Sequence, residues 1–189
     1  CVSKVYKKNY YSEHYRLNFV ICIYLFGLFL YFCKKYKNWE HMTTSIDIAR
    51  RIAEVNHPLS RESVHALAEI LVCRKYRKGE IVLQAGEVCK SMLFIEKGML
   101  RQFYYKYDKD LTEHIGYENG MIICIESYFK QEPTRLMVET LEASVVWELP
   151  RVEVEKLIDQ YHDIERLYRS FIEHSLIESQ VKADTLRFE

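Results

Sequence analysis

The stretch KGEIVLQAGEVCKSMLFIEKGML, Lys78 to Leu100, limits the fold more than any other part of the chain. Its glycines, Gly79, Gly86 and Gly98, interrupt short runs of Ile, Val, Leu, Met and Phe, and the first two are each followed at once by glutamate. Glycine takes positive φ without a Cβ clash, so these positions, with Gly120 further on, are expected to be sharp turns between strands. Strands this short and this closely spaced must close on themselves, because an open sheet would leave long unpaired edges.

The elements around this stretch can be read from periodicity. Ser45 is expected to cap a helix with Ile46, Ile48, Ala49, Ile52 and Val55 on one face, ending before His57-Pro58. Ser60 caps a second, with Val64, Leu67, Ala68, Leu71 and Val72 at helical spacing. Strands are predicted from near Tyr76, then over Ile81–Leu83, Met92–Ile95, Leu100–Tyr107 and Leu111–Tyr117. The polar turn Tyr107-Asp108-Lys109-Asp110 separates the last two. Glu118-Asn119-Gly120 turns the chain into the apolar run Met121–Ile125. An irregular segment leads to strands over Arg135–Leu141 and Ser144–Leu149, the latter with Val145, Trp147 and Leu149 on its buried face. Pro150 then opens a helix. From His162 to Glu189 there is neither Gly nor Pro, which allows a final helix of about 42 Å. Its wide apolar face predicts two contacts, one to the barrel and one to a second copy, with Ile164, Leu167, Phe171, Leu176 and Val181 as dimerisation residues.

Two helices, a Gly-punctuated jelly roll and a long last helix, over roughly residues 45–189, resemble in order the effector-sensing half of the cyclic AMP receptor protein/Fnr family of transcription regulators. The resemblance implies a mostly β fold with flanking helices. It also implies a small-molecule effector in the barrel, a homodimer formed through the long helix, and a cytoplasmic location. In the family a helix-turn-helix domain follows and enters the major groove. These residues stop where that domain would begin, so the expectation is a sensor half lacking its DNA-binding domain. The resemblance divides the chain into an extension (1–41), a jelly roll (42–161) and a dimerisation helix (162–189). DNA would be met only through the missing domain, and the body itself is acidic. Residues 1–41 hold seven Lys or Arg against two Glu, +5, which leaves 20 basic and 25 acidic residues, −5.

Cyclic-nucleotide-binding members carry a Gly-Glu pair for the ribose and, some ten residues on, an Arg and a small residue for the cyclic phosphate. The corresponding segment here is CIESYFKQEPTRLMVETLE, with effector-site candidates Glu126, Ser127, Thr134 and Arg135. Gly-Glu is replaced by Ile-Glu, and Leu136 follows the arginine. Lining up Val138 and Glu148 puts Thr134 at the family's arginine position. A one-residue slip in a strand would turn Arg135 to the opposite face. Cyclic AMP is therefore expected not to bind tightly, and the effector, if any, is left open.

The other chemistries have few residues to stand on. The six cysteines form no CxxC pair and read as free thiols in a reducing compartment, without the cluster of an iron–sulfur sensor. No catalytic residue is assigned: nucleophile-elbow, zincin and phosphate-loop motifs are absent, and Glu126 with Glu132 is too ordinary a pair for acid–base work. No metal site is assigned either, because only His114 sits where a cupin-type barrel would place a ligand. His57 and His65 fall in helical positions, so a haem sensor finds no obvious ligand.

The first 41 residues differ in kind from the rest. They contain no Ala, Asp, Pro, Thr, Gln or Met, and 22 of the 41 are Phe, Tyr, Ile, Asn or Lys, the residues with the most AT-rich codons. This is the expected look of upstream DNA read through ahead of Met42. The alternative is a membrane anchor: Phe19 to Cys33 is apolar or aromatic apart from Gly27 and is followed by Lys34, Lys35 and Lys37. As a helix it reaches roughly 22 Å against a hydrocarbon core of about 30 Å. The second functional class is accordingly a membrane-tethered cyclic-nucleotide sensor, akin to the regulatory domains of ion channels.

Overall fold

The computed structural model describes residues 43–188. The two readings of residues 1–41, anchor and read-through, lie outside them. Two helices come first, α1 (Ser45–Asn56) and α2 (Arg61–Ile70), followed by strands β1 (Val72–Tyr76), β2 (Ile81–Leu83), β3 (Ser91–Lys97), β4 (Leu100–Lys106), β5 (Lys109–Gly116) and β6 (Met121–Ile122). The short helix α3 (Ile125–Lys130) precedes β7 (Met137–Thr140) and β8 (Ser144–Pro150). The helices α4 (Arg151–Gln160) and α5 (His162–Phe188) complete the order.

The strands form two antiparallel four-stranded sheets, ordered β1-β8-β3-β6 and β2-β7-β4-β5, which is the predicted jelly roll. The Gly-Glu turns explain why that sequence folds as it does. Gly79, Gly86 and Gly98 all have positive φ. The glutamate after each of the first two reaches back to close its turn: Arg77 N–H donates to Glu80 Oε2 at 2.8 Å, and Gln84 N–H to Glu87 Oε2 at 2.9 Å. Gly98 is the most constrained of the three. A Cβ there would lie 2.9 Å from Ser144 Cα, on the neighbouring strand.

Several boundaries differ from expectation, each for a local reason. α1 is capped by Thr44 rather than Ser45: Thr44 Oγ1 accepts from Asp47 N–H at 3.2 Å, and the Asp47 carboxylate accepts from Thr44 N–H at 3.1 Å, a reciprocal capping box. Val72 belongs to β1, because pairing with Glu148 of β8 takes the chain out of the helix after Ile70. The hairpin after β4 is tighter than four residues. Tyr107 and Asp108, both at positive φ, form a two-residue turn whose twist suits the flanking strands. In the next turn Asn119, not Gly120, takes the left-handed conformation. Pro150 closes β8 and stands at the N-cap of α4, one place before the helix. β8 is buried on both faces, with Val146, Trp147 and Leu149 all covered, since one side meets the barrel interior and the other the helices.

One core joins the helices to the barrel. Ile48 and Ile52 of α1, Leu67 of α2, Phe94 and Ile95 of β3, and Ile164 of α5 are all within 1% of complete burial. Asp163 at the start of α5 fastens α2, accepting from Ser60 N–H at 2.7 Å and from the Ser63 hydroxyl at 2.6 Å. The first half of α5 is thus part of the protomer's own core. Ile164, Leu167 and Phe171, expected as dimer contacts, are buried there within a single chain. Leu176, Ile177 and Val181, further along, are each 59% exposed.

Candidate functional site

A cavity of about 810 Å³ opens between the jelly roll and the second half of α5. Gln102 and Cys124 lie at its buried side, Thr134 and Arg135 come from the segment before β7, and Glu178 and Lys182 reach it from α5. That helix turns about 100° per residue. Ser175, Glu178, Ser179 and Lys182 therefore share one face, Ile177 lies roughly opposite, and Leu176 and Val181 stand on the two flanks. The polar face borders the cavity, and the exposed apolar side chains lie outside it.

All four residues predicted for the site border the cavity, but in different states. Glu126, in the first turn of α3, is exposed and paired with Lys130 at 2.7 Å. That hydrogen bond holds its carboxyl below the usual carboxylate range, with the charges of Lys130 and Arg135 adding to it. Ser127 is buried and committed to the backbone, accepting from Cys89 N–H at 2.9 Å and donating to Glu132 O at 2.6 Å. Thr134 is buried as well, its hydroxyl accepting from Leu136 N–H at 3.0 Å. Arg135 is exposed and makes no hydrogen bond or ion pair among the described residues.

The strand expected from Arg135 begins only at Met137, because residues 134–136 bend after the bridge between Val88 and Pro133. Strand alternation therefore does not apply at Thr134 and Arg135, and both reach the cavity. The segment expected to be irregular between Ile125 and the next strand is instead the helix α3. Its far end is held by Arg151, whose Nη1 donates to Tyr128 O at 2.8 Å and Phe129 O at 3.3 Å.

Among the cavity residues that sequence reasoning missed, His114 and Lys182 stand out. His114 of β5 lies 3.1 Å from Lys182 Nζ of α5. Burial and the Lys182 charge hold the imidazole below its usual range, with Glu178 and Glu113 pulling the other way. The signal available in the sequence was the polar spacing Ser175, Glu178, Ser179, Lys182 on a helix otherwise read as apolar. Among the described residues no group of three His, Cys, Asp or Glu could hold a metal ion, and no helix is long and apolar enough to cross a membrane.

The described residues are thus an antiparallel jelly roll flanked by paired helices and a long last helix, with a cavity between barrel and helix. Residues 73–161 match the cyclic nucleotide-binding domain family, and the fold is similar to that of solved regulators and cyclic nucleotide-binding domains. Three solved structures illustrate the likeness. The catabolite activator protein of Thermus thermophilus has a TM-score of 0.60 at 16% identity, over 73% of this chain and 63% of that one. A cyclic nucleotide-binding domain from Methylobacillus flagellatus has a TM-score of 0.64 at 15% identity, over 78% and 86%. The sensor domain of the transcriptional regulator DNR from Pseudomonas aeruginosa has a TM-score of 0.56 at 10% identity, over 76% and 95%. The chain thus matches somewhat less than two thirds of the Thermus activator. No curated protein matches it significantly.

Proposed function

We propose that this chain is the sensing and dimerisation part of a cytoplasmic transcription regulator, and that its effector occupies the cavity between the jelly roll and α5. One observation carries the reading: the cavity is bounded by α3 and the segment before β7 on one side and by α5 on the other, so a single ligand touches both. The exposed apolar side chains of α5 outside the cavity-lining face, Leu176, Ile177 and Val181, supply the surface for a second copy. A ligand on one face of the helix and a partner on the other gives effector binding a direct route to the dimer. Contact with DNA belongs to a domain outside these residues, and the domain works by binding rather than catalysis.

Cyclic AMP is not the effector in this reading. A cyclic phosphate needs a positioned cation and backbone donors to leave water. Arg135 stands exposed at the rim beside Glu126, the buried position holds Thr134, and the glutamates Glu113, Glu132 and Glu178 add negative charge to the lining. Titration calorimetry with cyclic AMP and cyclic GMP is expected to give no saturable heat at micromolar concentrations. Micromolar binding abolished by Arg135→Ala would overturn the exclusion. For the dimer, light scattering is expected to show two chains per particle and Val181→Asp one. A wild-type monomer at tens of micromolar would count against the interface.

A further inference from the structure

We propose that the effector is an organic cation, a primary ammonium carried on an apolar body, and that Gln102, Glu113 and Glu178 receive its head. The assignment rests on the reading of the cavity between the jelly roll and α5 as the effector site. Gln102 of β4 lines that cavity and is only 6% exposed. Its amide is fixed in orientation, because Nε2 donates to Ile123 O at 2.9 Å and to Cys124 Sγ at 3.3 Å. Oε1 is the atom left over, and it accepts no hydrogen bond among the described residues. Nor is it sealed off: the enclosed side-chain oxygen without a partner there is the Tyr128 hydroxyl. A buried carbonyl oxygen open to a cavity calls for a ligand that donates.

The carboxylates beside it call for a charged donor. Gln102 stands directly opposite His114 of β5, and Phe103 opposite Thr112, so Glu113 is the extra residue of a β-bulge. Neighbouring strand residues ordinarily point to opposite faces, but here Glu113 and His114 both border the cavity. Glu178 reaches it from α5. Lys182, four residues on, is placed to pair with Glu178 but turns to His114 Nδ1 at 3.1 Å. Glu113 and Glu178 are thus without an ion pair among the described residues, whereas Glu126 has Lys130.

Four carboxylates in all border the cavity, Glu113, Glu126, Glu132 and Glu178, against the fixed cations Arg135 and Lys182. An ammonium can donate to a neutral oxygen and to carboxylates at once, and hydrogen bonds with a charged partner are the stronger ones. An anionic head would meet Glu113, Glu178 and a carbonyl oxygen that cannot donate to it. Met121, Ile123, Ile125 and Leu136 line the same cavity and give the apolar body its contacts.

The test is titration of the full chain with hexylamine, hexan-1-ol and hexanoate, which share a carbon chain and differ in the charge of the head. Binding is followed by NMR at the Gln102 side-chain amide and the His114 imidazole. Hexylamine is expected to saturate both signals about tenfold more tightly than hexan-1-ol, with hexanoate the weakest. Glu178→Gln, at an exposed position, should weaken hexylamine several-fold and leave hexan-1-ol unchanged. Lys182→Met should tighten hexylamine, because it removes a like charge. Equal affinity for hexylamine and hexan-1-ol, tighter binding of hexanoate, or a hexylamine affinity untouched by Glu178→Gln would overturn the cation and leave the cavity standing as the effector site. Silence of both signals with all three probes would overturn the reading of the cavity as well.

Discussion

Truncating Phe171 separates the two halves of α5. The ring is 8% exposed and packs in the same core as Ile164 and Leu167, so Phe171→Ala removes contacts made inside one chain. Phe→Ala in a core costs about 3–5 kcal/mol. Phe171 lies where the buried part of the helix ends, with Ile172 half-covered and Glu173 exposed, which favours the lower figure of about 3 kcal/mol. For a domain of this size with a urea slope near 2 kcal/mol per molar, that moves the midpoint down by about 1.5 M with the slope unchanged. The measurement is urea unfolding of wild type and variant at two protein concentrations tenfold apart. The difference between them should be the same at both, because a contact within one chain is independent of association. Val181→Asp, at a site 59% exposed, should stay within about 0.5 kcal/mol of wild type in the stability of the fold itself and change only the association. An unaltered midpoint for Phe171→Ala, or a loss seen only at low concentration, would show that the ring serves an interface between copies and that its assignment to the core is wrong.

Three further outcomes are expected. Gly98→Ala combines a left-handed backbone with a Cβ 2.9 Å from Ser144 Cα and should cost about 2 kcal/mol or more, read as a lower melting temperature; an unchanged one would refute the close approach. Tyr128→Phe should leave stability unchanged or raise it by about 1 kcal/mol, since the buried Tyr128 hydroxyl has no hydrogen-bond partner among the described residues. A comparable loss in that variant would mean that the neighbouring Tyr168 satisfies it. His114 should titrate below 6.5 in the folded chain, and Lys182→Met should move it upward, followed by NMR of the imidazole. Because folding depresses this group, its contribution to stability is complete above 6.5 and is lost as pH falls through the folded value. Titration at or above 6.5 would remove the Lys182 contact from the account.

The barrel was legible because its turns are written in side chains that act locally. Gly79-Glu80 and Gly86-Glu87 each contain both the residue that turns and the carboxylate that closes the turn. What stayed hidden depends on partners distant in sequence. α3 was read as an irregular segment, because six residues show too little periodicity and its support comes from Arg151. The slip argument at Arg135 assumed a strand that has not yet begun there. The wide apolar stripe of the last helix signalled a buried contact, and that packing is chiefly against α4 and α1. Its buried residues, however, lie in the first half, and the exposed ones follow along the length instead of sharing the circumference. His114 and Lys182 meet across 68 positions, a contact no local pattern announces.

The six residues of α3 are too few to be helical on their own, since the first turn costs more backbone freedom than one hydrogen bond returns. Their order is lent from outside: by Ser127, which grips Cys89 and Glu132, and by the Arg151 guanidinium on the carbonyls of Tyr128 and Phe129. Because helix formation is cooperative, loss of these outside contacts is expected to release the segment as one unit, so this wall of the cavity is only as firm as the residues that hold it from elsewhere.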